Sequence, residues 1–374
     1  MMIFLFIFVS IMLLLCLTVF AVDFIPMIMA WIKRIHIGRY TDKKAWYKNA
    51  EKIAVKQIKK LPPISITDRT SYTLLPKIKG EYFNKKFSVW QVASLLSATS
   101  ENCESRDAAY RFFVRSNLTE CEYTPGSAML LYELLKCGFE KDEKVITAAK
   151  DYLAKAIAVA GDSTLPYNPD QDERYVDVLG MVCPFLIKYH QIYGCPEAFE
   201  LAKRQFDEFY SYGINERTGL PVHCFRPDNK MPLGIYGWGR GCGWLALALD
   251  ECLSLLDETD EYYSVLTERA AALCESLLPF QNENGSFNAI IGVHFSRQES
   301  SATAMIGGLL HRMGYVAESE RCLDYLMSVT RINGEVDFAQ GDTMSIGNYS
   351  RRFEPMPAAQ AFALRLYGKI VENS

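Results

Sequence analysis

From about residue 87 to its end, the chain is a succession of helical runs with almost no strand-like alternation. That pattern limits its fold more than any other feature. Apolar residues recur at three- and four-residue spacing, the period of a helix with a buried face. Helix-ending punctuation falls between the runs, at Gly138, Gly194-Cys195-Pro196, Gly213 and Gly314. The spacing predicts helices over 87–99, 105–115, 126–138, 143–160, 175–193, 196–212, 241–256, 260–280, 300–313, 317–330 and 355–370. An earlier amphipathic stretch, 45–60, puts Trp46, Ile53, Ala54 and Ile58 near one face and brings the total to about twelve, mostly in consecutive pairs. No internal sequence repeat is evident, which argues against a tetratricopeptide or ankyrin array. Twelve paired helices suit an (α/α)6 barrel, a toroid of six helical hairpins, with a plain α-solenoid as the alternative. The loops favour the ring. Those at 161–174, 214–240, 281–299 and 333–355 are long and aromatic-rich, and they recur after every second helix, which would gather them at one mouth. Long loops between well-formed helices are usually functional.

The N-terminus is of another kind. Residues Met1 to Val22 carry no charge, and their number matches the roughly 20 needed to span a bilayer. A cleaved leader would carry basic residues ahead of an apolar stretch of about 7–15 residues. Here no Lys or Arg precedes the run, and the run is longer, so it reads as a membrane anchor. Lys33, Arg34, Arg39, Lys43 and Lys44 follow it. By the positive-inside rule they place the globular part in the cytoplasm, as a single-pass protein of the inner membrane. The expected organisation is an anchor over 1–32, with residues 1–31 meeting the membrane. A basic juxtamembrane segment over 33–86 holds the first helix (45–60) and a connection containing Pro62, Pro63 and Pro76. The globular domain covers 87–374.

Composition excludes some partners. A formal net charge of −4 gives no reason to expect nucleic acid. The 11 cysteines form no CxxC pair or Cys/His cluster at metal-ligand spacing, so no metal is implied. Cys183 and Cys252 lie in apolar helical runs and read as small hydrophobes, in keeping with a reducing compartment. No phosphate loop is present, and no cofactor is implied.

Two stretches suggest chemistry. Asp177 sits in Arg174-Tyr-Val-Asp-Val-Leu-Gly-Met-Val-Cys-Pro-Phe-Leu186, an otherwise apolar run that would normally exclude an unpaired carboxylate. Desolvation there should raise its pKa and let it hold a proton for general-acid work. Pairing with Arg174 or a neighbouring helix is the structural alternative. In Trp238-Gly-Arg240-Gly-Cys-Gly-Trp244 two indoles bracket a guanidinium. They could offer flat faces for sugar stacking and a donor fork for a carboxylate or hydroxyls. The alternative is packing at the head of helix 241–256.

The 175–186 stretch resembles the Asp-x-Leu-x-Met-x-x-Pro-Phe-Leu signature of the unsaturated uronyl hydrolases, glycoside hydrolase families 88 and 105. Thr218-Gly-Leu-Pro-Val-His223, the Trp238–Trp244 stretch and Glu299-Ser-Ser-Ala-Thr-Ala-Met305 resemble their later landmarks in order, and Gln340-Gly-Asp342 through Met356-Pro357 falls where the family closes its pocket. The resemblance covers about 120–370. It implies an (α/α)6 barrel, no metal, and an unusual hydrolysis of oligosaccharides that carry a 4,5-unsaturated uronic acid at the non-reducing end. An aspartic acid, here Asp177, protonates the vinyl ether at C4, water adds at C5, and the hemiketal collapses to release the sugar. Ordinary glycosidases instead need two carboxyls at a set separation.

The resemblance also implies substrate contacts from His223, Trp238, Arg240 and Trp244, and from Trp90 and Gln91 in an early helix. Tyr349, Arg351 and Arg352 in the last long loop could grip the uronate carboxylate. Glu299 and Ser300 suit a helix start as well as a substrate contact. The sequence departs from the family at Thr124, in Glu122-Tyr-Thr-Pro-Gly-Ser-Ala-Met-Leu-Leu131, where a second essential aspartate is expected; Glu122 lies two residues away. Cys242 replaces a position that is commonly larger and polar. Two other readings stay open. One is a different sugar enzyme on the same ring, such as a 2-epimerase using His223 and His294, or an inverting glycosidase. The other is a non-catalytic carbohydrate binder or scaffold working with polysaccharide-processing partners at a membrane.

Overall fold

A computed structural model describes residues 2–62, 88–116, 123–343 and 345–372. Glu122, and the connection read over 61–86 from residue 63 onward, lie outside the described residues.

Helix α1 (Met2–Arg34) is followed by twelve more among the described residues. These are α2 (Lys43–Lys59), α3 (Ser88–Thr99), α4 (Cys103–Arg115), α5 (Pro125–Lys136), α6 (Glu143–Ala160), α7 (Val176–Tyr193), α8 (Pro196–Tyr212), α9 (Gly239–Leu255), α10 (Glu261–Leu277), α11 (Ser300–Arg312), α12 (Val316–Ser328) and α13 (Pro357–Glu372). Several of them start with a side-chain cap that satisfies one or two of the free amide donors of the first turn. Asp42 accepts from the Ala45 N–H, Asn102 from Ser105, Asp142 from Val145 and Asp260 from Tyr262.

Two kinds of helix result, and they form two rings. Helices α3, α5, α7, α9, α11 and α13 each pack on the next, and α13 returns to α3. This closed inner ring, with the remaining helices outside it, is an (α/α)6 barrel. Inner helices are buried on nearly all faces; in α9 every residue from Gly239 to Leu253 is buried. Outer helices bury one stripe, as α8 does with Ala198, Leu201, Ala202, Gln205, Phe206 and Phe209. Helix α2 belongs to the outer ring and packs on both α3 and α13, with Trp46, Ala50, Ala54 and Ile58 inward. Cys183 and Cys252 sit fully buried in this packing. The inner helices cross closely. A Cβ built on Gly180 of α7 would lie 2.7 Å from the Trp244 carbonyl oxygen of α9, so only glycine fits there.

The connections that lead into α7, α9, α11 and α13, as far as they are described, lie at one end of the barrel, beside those helices' N-termini. They hold short antiparallel strands that the helical periodicity does not register. β1 (Arg174–Tyr175), β2 (Val222–Phe225) and β3 (Pro232–Tyr236) form one sheet, with Tyr175 opposite Cys224 and Val222 opposite Tyr236. β4 (Phe287–Asn288) pairs with β5 (Gln298–Glu299), and β6 (Ala339–Gln340) with β7 (Phe353–Glu354). A bridge between Trp238 and Ile290 links the first two groups.

Helix α1 contains an apolar window, Met2–Val22, of mean hydropathy 3.1 with none of it buried in the fold. Its C-terminal end is tied to the mouth of the barrel. Arg34 donates from Nε and Nη2 to the two carboxylate oxygens of Asp337, both at 2.8 Å, and to the Phe353 carbonyl. Asp337 is fully buried and also receives Arg331 at 2.7 Å. Just beyond, the Gly38 N–H reaches the Thr330 carbonyl at 3.0 Å.

Candidate active site

Asp177 is the second residue of α7, at the mouth end of the barrel. It is 8 % exposed, and its Oδ2 has no hydrogen-bond partner. Three features favour its charged form: the positive end of the helix dipole, its own backbone N–H and the nearby Arg240 guanidinium. Burial outweighs them, with a smaller contribution from the neighbouring Asp342, and raises its pKa from 3.8 to about 7. It makes no ion pair with Arg174, whose side chain bonds Thr164 and the Asp172 carbonyl instead.

His223 stands on β2, 4 % exposed, with Nε2 at 3.7 Å from Asp177 Oδ2. Burial, reinforced by the Arg240 charge, pushes its pKa from 6.5 down to about 3, so the ring is neutral. Its Nδ1 is held by Tyr349. The Tyr349 hydroxyl oxygen accepts the Ile235 N–H at 3.1 Å and lies 3.0 Å from His223 Nδ1. When the phenol donates to Nδ1, the ring proton sits on Nε2, on the side that faces Asp177. Tyr349 and Trp238 flank the imidazole, with ring centroids at 5.4 and 4.5 Å.

Arg240 is 2 % exposed in the first turn of α9. It donates to the carbonyls of Gln340 at 2.5 Å and Gly341 at 2.9 Å and lies over the Trp238 ring. Trp238 Nε1 donates to Gln340 Oε1 at 3.0 Å. Gln340 is held from the other side, where its N–H reaches Glu299 Oε1 at 2.9 Å. Glu299 also caps α11 through the Ser301 and Ala302 amides. The last long connection is thus clamped across the mouth from β6 inward, and the clamp leads to Asp342. That residue is partly exposed, but its Oδ2 is buried and has no hydrogen-bond partner. Burial raises its pKa from 3.8 to about 6, against the pull of Arg240 and a Thr343 N–H bond.

The structure brings Asp177, His223, Tyr349, Trp238 and Arg240 together. It places the other expected residues differently. Trp244 is 1 % exposed, and its ring meets Trp90 edge-on at 5.5 Å and Phe362 at 5.9 Å. Trp90 and Trp244 thus stack on protein, between inner helices. Gln91 is fully buried and accepts the Ala358 N–H at 2.8 Å, in the first turn of α13. Trp238 and Arg240 present little open surface, because their polar groups hold the Gln340–Gly341 segment. Arg351 is exposed on the last connection, and His294 is exposed on the β4–β5 loop, whereas His223 is buried. Thr124 caps α5, with its hydroxyl 2.7 Å from Ser127 Oγ. Cys242 is fully buried and belongs to the core cluster.

Two groups were not singled out by the sequence. Asp342 lay within a recognised stretch without being marked. Tyr167, in the α6–α7 connection, feels both Asp177 and Asp342 and is held protonated by burial. Among the described residues, no group of three or more His, Cys, Asp or Glu side chains is placed to hold a metal ion. A surface recess lined by Lys203, Asp260, Glu261, Tyr262 and Val265 lies on outer helices α8 and α10, away from this chemistry.

Comparison with known proteins gives consistent matches. The family model of Glycosyl Hydrolase Family 88 matches residues 111–326. The unsaturated rhamnogalacturonyl hydrolase YesR of Bacillus subtilis is 26 % identical over 182 residues, which cover 47 % of this chain and 52 % of YesR. The chain thus spans about half the length of that curated relative. Among solved structures, a possible member of family 105 from Klebsiella pneumoniae superposes with a TM-score of 0.71 at 18 % identity, covering 88 % of this chain and 93 % of the other. The unsaturated glucuronyl hydrolase of Bacillus sp. GL1 superposes at 0.64 with 16 % identity, covering 89 % and 97 %. At such identities these structures speak for the fold.

Proposed function

The chain belongs to Glycosyl Hydrolase Family 88, and from that membership and the chemistry of the mouth we propose that it hydrolyses oligosaccharides ending in a 4,5-unsaturated uronic acid, with Asp177 as the acid. The observation that carries the reading is the state of Asp177. A carboxyl with a pKa raised to about 7 keeps a large protonated fraction near neutral pH, where an ordinary aspartate keeps almost none, and its Oδ2 is committed to nothing in the protein. Both are required of a group that must give a proton to carbon.

The step follows from these atoms. The Asp177 O–H bond breaks and a C4–H bond forms. The electrons of the C4=C5 bond make it, and the positive charge that develops at C5 is shared with the ring oxygen. Water adds at C5. The resulting hemiketal opens, and the hemiacetal left at C1 collapses to release the next sugar. His223 stays neutral throughout, and in its Nε2–H tautomer it presents a donor toward Asp177 Oδ2, 3.7 Å away, that steadies the carboxylate once the proton has left. Arg240 favours the same charge from the α9 side. Trp238 and Tyr349 fix the imidazole between them.

The apolar α1 and its basic collar support a membrane tether with the barrel on the cytoplasmic side. Protease access to the barrel in right-side-out and inverted vesicles tests that orientation. The occupancy of Thr124 favours a second reading, a carbohydrate binder that does not turn over, since its hydroxyl is engaged in a helix cap where the family has an acid. Loss of the double-bond absorbance on incubation with lyase-generated unsaturated disaccharides separates the two readings. The hydrolase removes the absorbance; the binder retains the sugar unchanged.

A further inference from the structure

The hydrolase reading leaves one requirement open. Water must lose a proton as it adds to C5, and the acid expected at position 124 is absent. A second carboxyl nevertheless reaches the site from another element. Arg240 grips the carbonyls of Gln340 and Gly341, at 2.5 and 2.9 Å, and so fixes the backbone just before Asp342. The same guanidinium acts on both Asp177 and Asp342, and Tyr167 feels the charge of both. The Thr343 N–H binds Asp342 Oδ1 at 2.9 Å, leaving Oδ2 buried and without a partner, as in Asp177. Buried carboxylate oxygens rarely stay unbonded, and those that do call for an explanation. Here the two unbonded oxygens belong to acids that share one arginine.

We propose that Asp342 is the second catalytic carboxyl of this pocket, taking over from the last connection the role that Thr124 cannot fill, and that it accepts the proton of the attacking water. The inference rests on the hydrolase reading. As Asp177 gives its proton to C4 and the C5–O bond forms, one water O–H bond breaks and that proton passes to the Asp342 carboxylate. After product leaves, solvent exchange returns Asp177 to its acid form and Asp342 to its base form. Neighbouring carboxyls whose surroundings hold them at different proton affinities divide acid and base work in this way. The roles follow from position: Asp177 heads α7 facing His223, and Asp342 enters from the last connection behind the Arg240 clamp. Among the described residues, the other titratable or charged groups facing the pair are Arg240 from α9, His223 and Cys224 from β2, Tyr167 and Tyr175 from the α6–α7 connection, and Tyr349.

The test uses the full chain in detergent with lyase-generated unsaturated disaccharides. In the wild type, kcat should rise as pH passes through the lower of two apparent values and fall through the higher; these belong to the pair rather than to single residues. Asp342→Asn should lower kcat by about 100-fold or more, the range of a lost general base, with KM little changed and the acid limb gone. Thr124→Asp, which keeps a helix-capping residue at that site, should restore part of kcat in the Asp342→Asn background. A wild-type profile with no acid limb overturns the proposal, even if Asp342→Asn does not fold. Asp342→Asn with wild-type kcat and profile, beside an inactive Asp177→Asn, overturns this proposal alone. A wild-type chain that turns over none of the disaccharides overturns the hydrolase reading and this one with it.

Discussion

His223 Nε2 stands 3.7 Å from Asp177 Oδ2, and burial drives the two groups to the same end by opposite routes. It raises the carboxyl to about 7 and lowers the imidazole to about 3, so on the acid side of neutrality the uncharged form of each is favoured. This is no ion pair. It is a protonated acid beside a neutral donor, an arrangement prepared for charge that appears only when the proton leaves.

That arrangement predicts the behaviour of Asp177→Asn. Removing a positioned general acid lowers rates by about 10²–10⁴-fold, and kcat of the variant should fall by at least that much with substrate binding retained. Turnover and calorimetric binding of the same disaccharide, measured side by side, check it.

Asp177 also imposes a pH-dependent strain on the fold. Its folded pKa is raised, so the native state binds its proton more tightly than the unfolded chain does. The group therefore opposes folding increasingly as pH rises from 3.8 to about 7, and the effect levels off above that. Asp177→Asn removes it. The variant's melting temperature should exceed that of the wild type by a margin that grows across this window and is smallest at its acid end. Thermal scans over that range decide the point.

Tyr349→Phe deletes the hydroxyl that faces His223 Nδ1 and leaves the Ile235 N–H without its acceptor. Stability should drop by about 1–3 kcal/mol. Freed from Tyr349, the imidazole is no longer held through Nδ1, and kcat should fall by roughly 10-fold, the lower range for loss of a supporting partner. Denaturant melts and steady-state kinetics give both numbers.

Most of the fold was legible in the sequence, and particular residues show why. The helical period, helix caps and the glycines and prolines between runs are local properties, and each expected helix is present with ends shifted by only a few residues. Asp177 stood out because a lone acid in an apolar run is a local anomaly. Glu299 was legible as a helix start because an acid followed by Ser suits that position, and it does cap α11. The short strands at the mouth were not legible, since two to five residues carry no readable alternation. Nor was the inward turn of Trp238 and Arg240, which depends on Gln340 and Gly341 about 100 residues away. Asp342 was missed because its environment is assembled from α7, α9 and the α6–α7 connection. Trp90 and Trp244 looked available for sugar because aromatic residues in core and in binding sites read alike.

The joint between α1 and the barrel can be tested through Asp337. Its carboxylate is fully buried and receives both Arg34 and Arg331. Asp337→Ala leaves buried Arg331 with Glu335 as its remaining acid, at 3.2 Å, and takes the partner of Arg34 away; it should destabilise the chain by about 3 kcal/mol, the lower end for removing one partner of a buried pair. Arg34→Ala leaves Arg331 in place and should cost less. Comparing the two by denaturant unfolding checks the ranking.

The central claim is tested most directly by turnover of the full chain on a panel of lyase-generated unsaturated disaccharides, followed as loss of the double-bond absorbance, with Asp177→Asn alongside. The account predicts that the wild type consumes at least one member and that a folded Asp177→Asn consumes none at a comparable rate. An Asp177→Asn variant as active as the wild type, or a folded wild type inert toward every member, would contradict it.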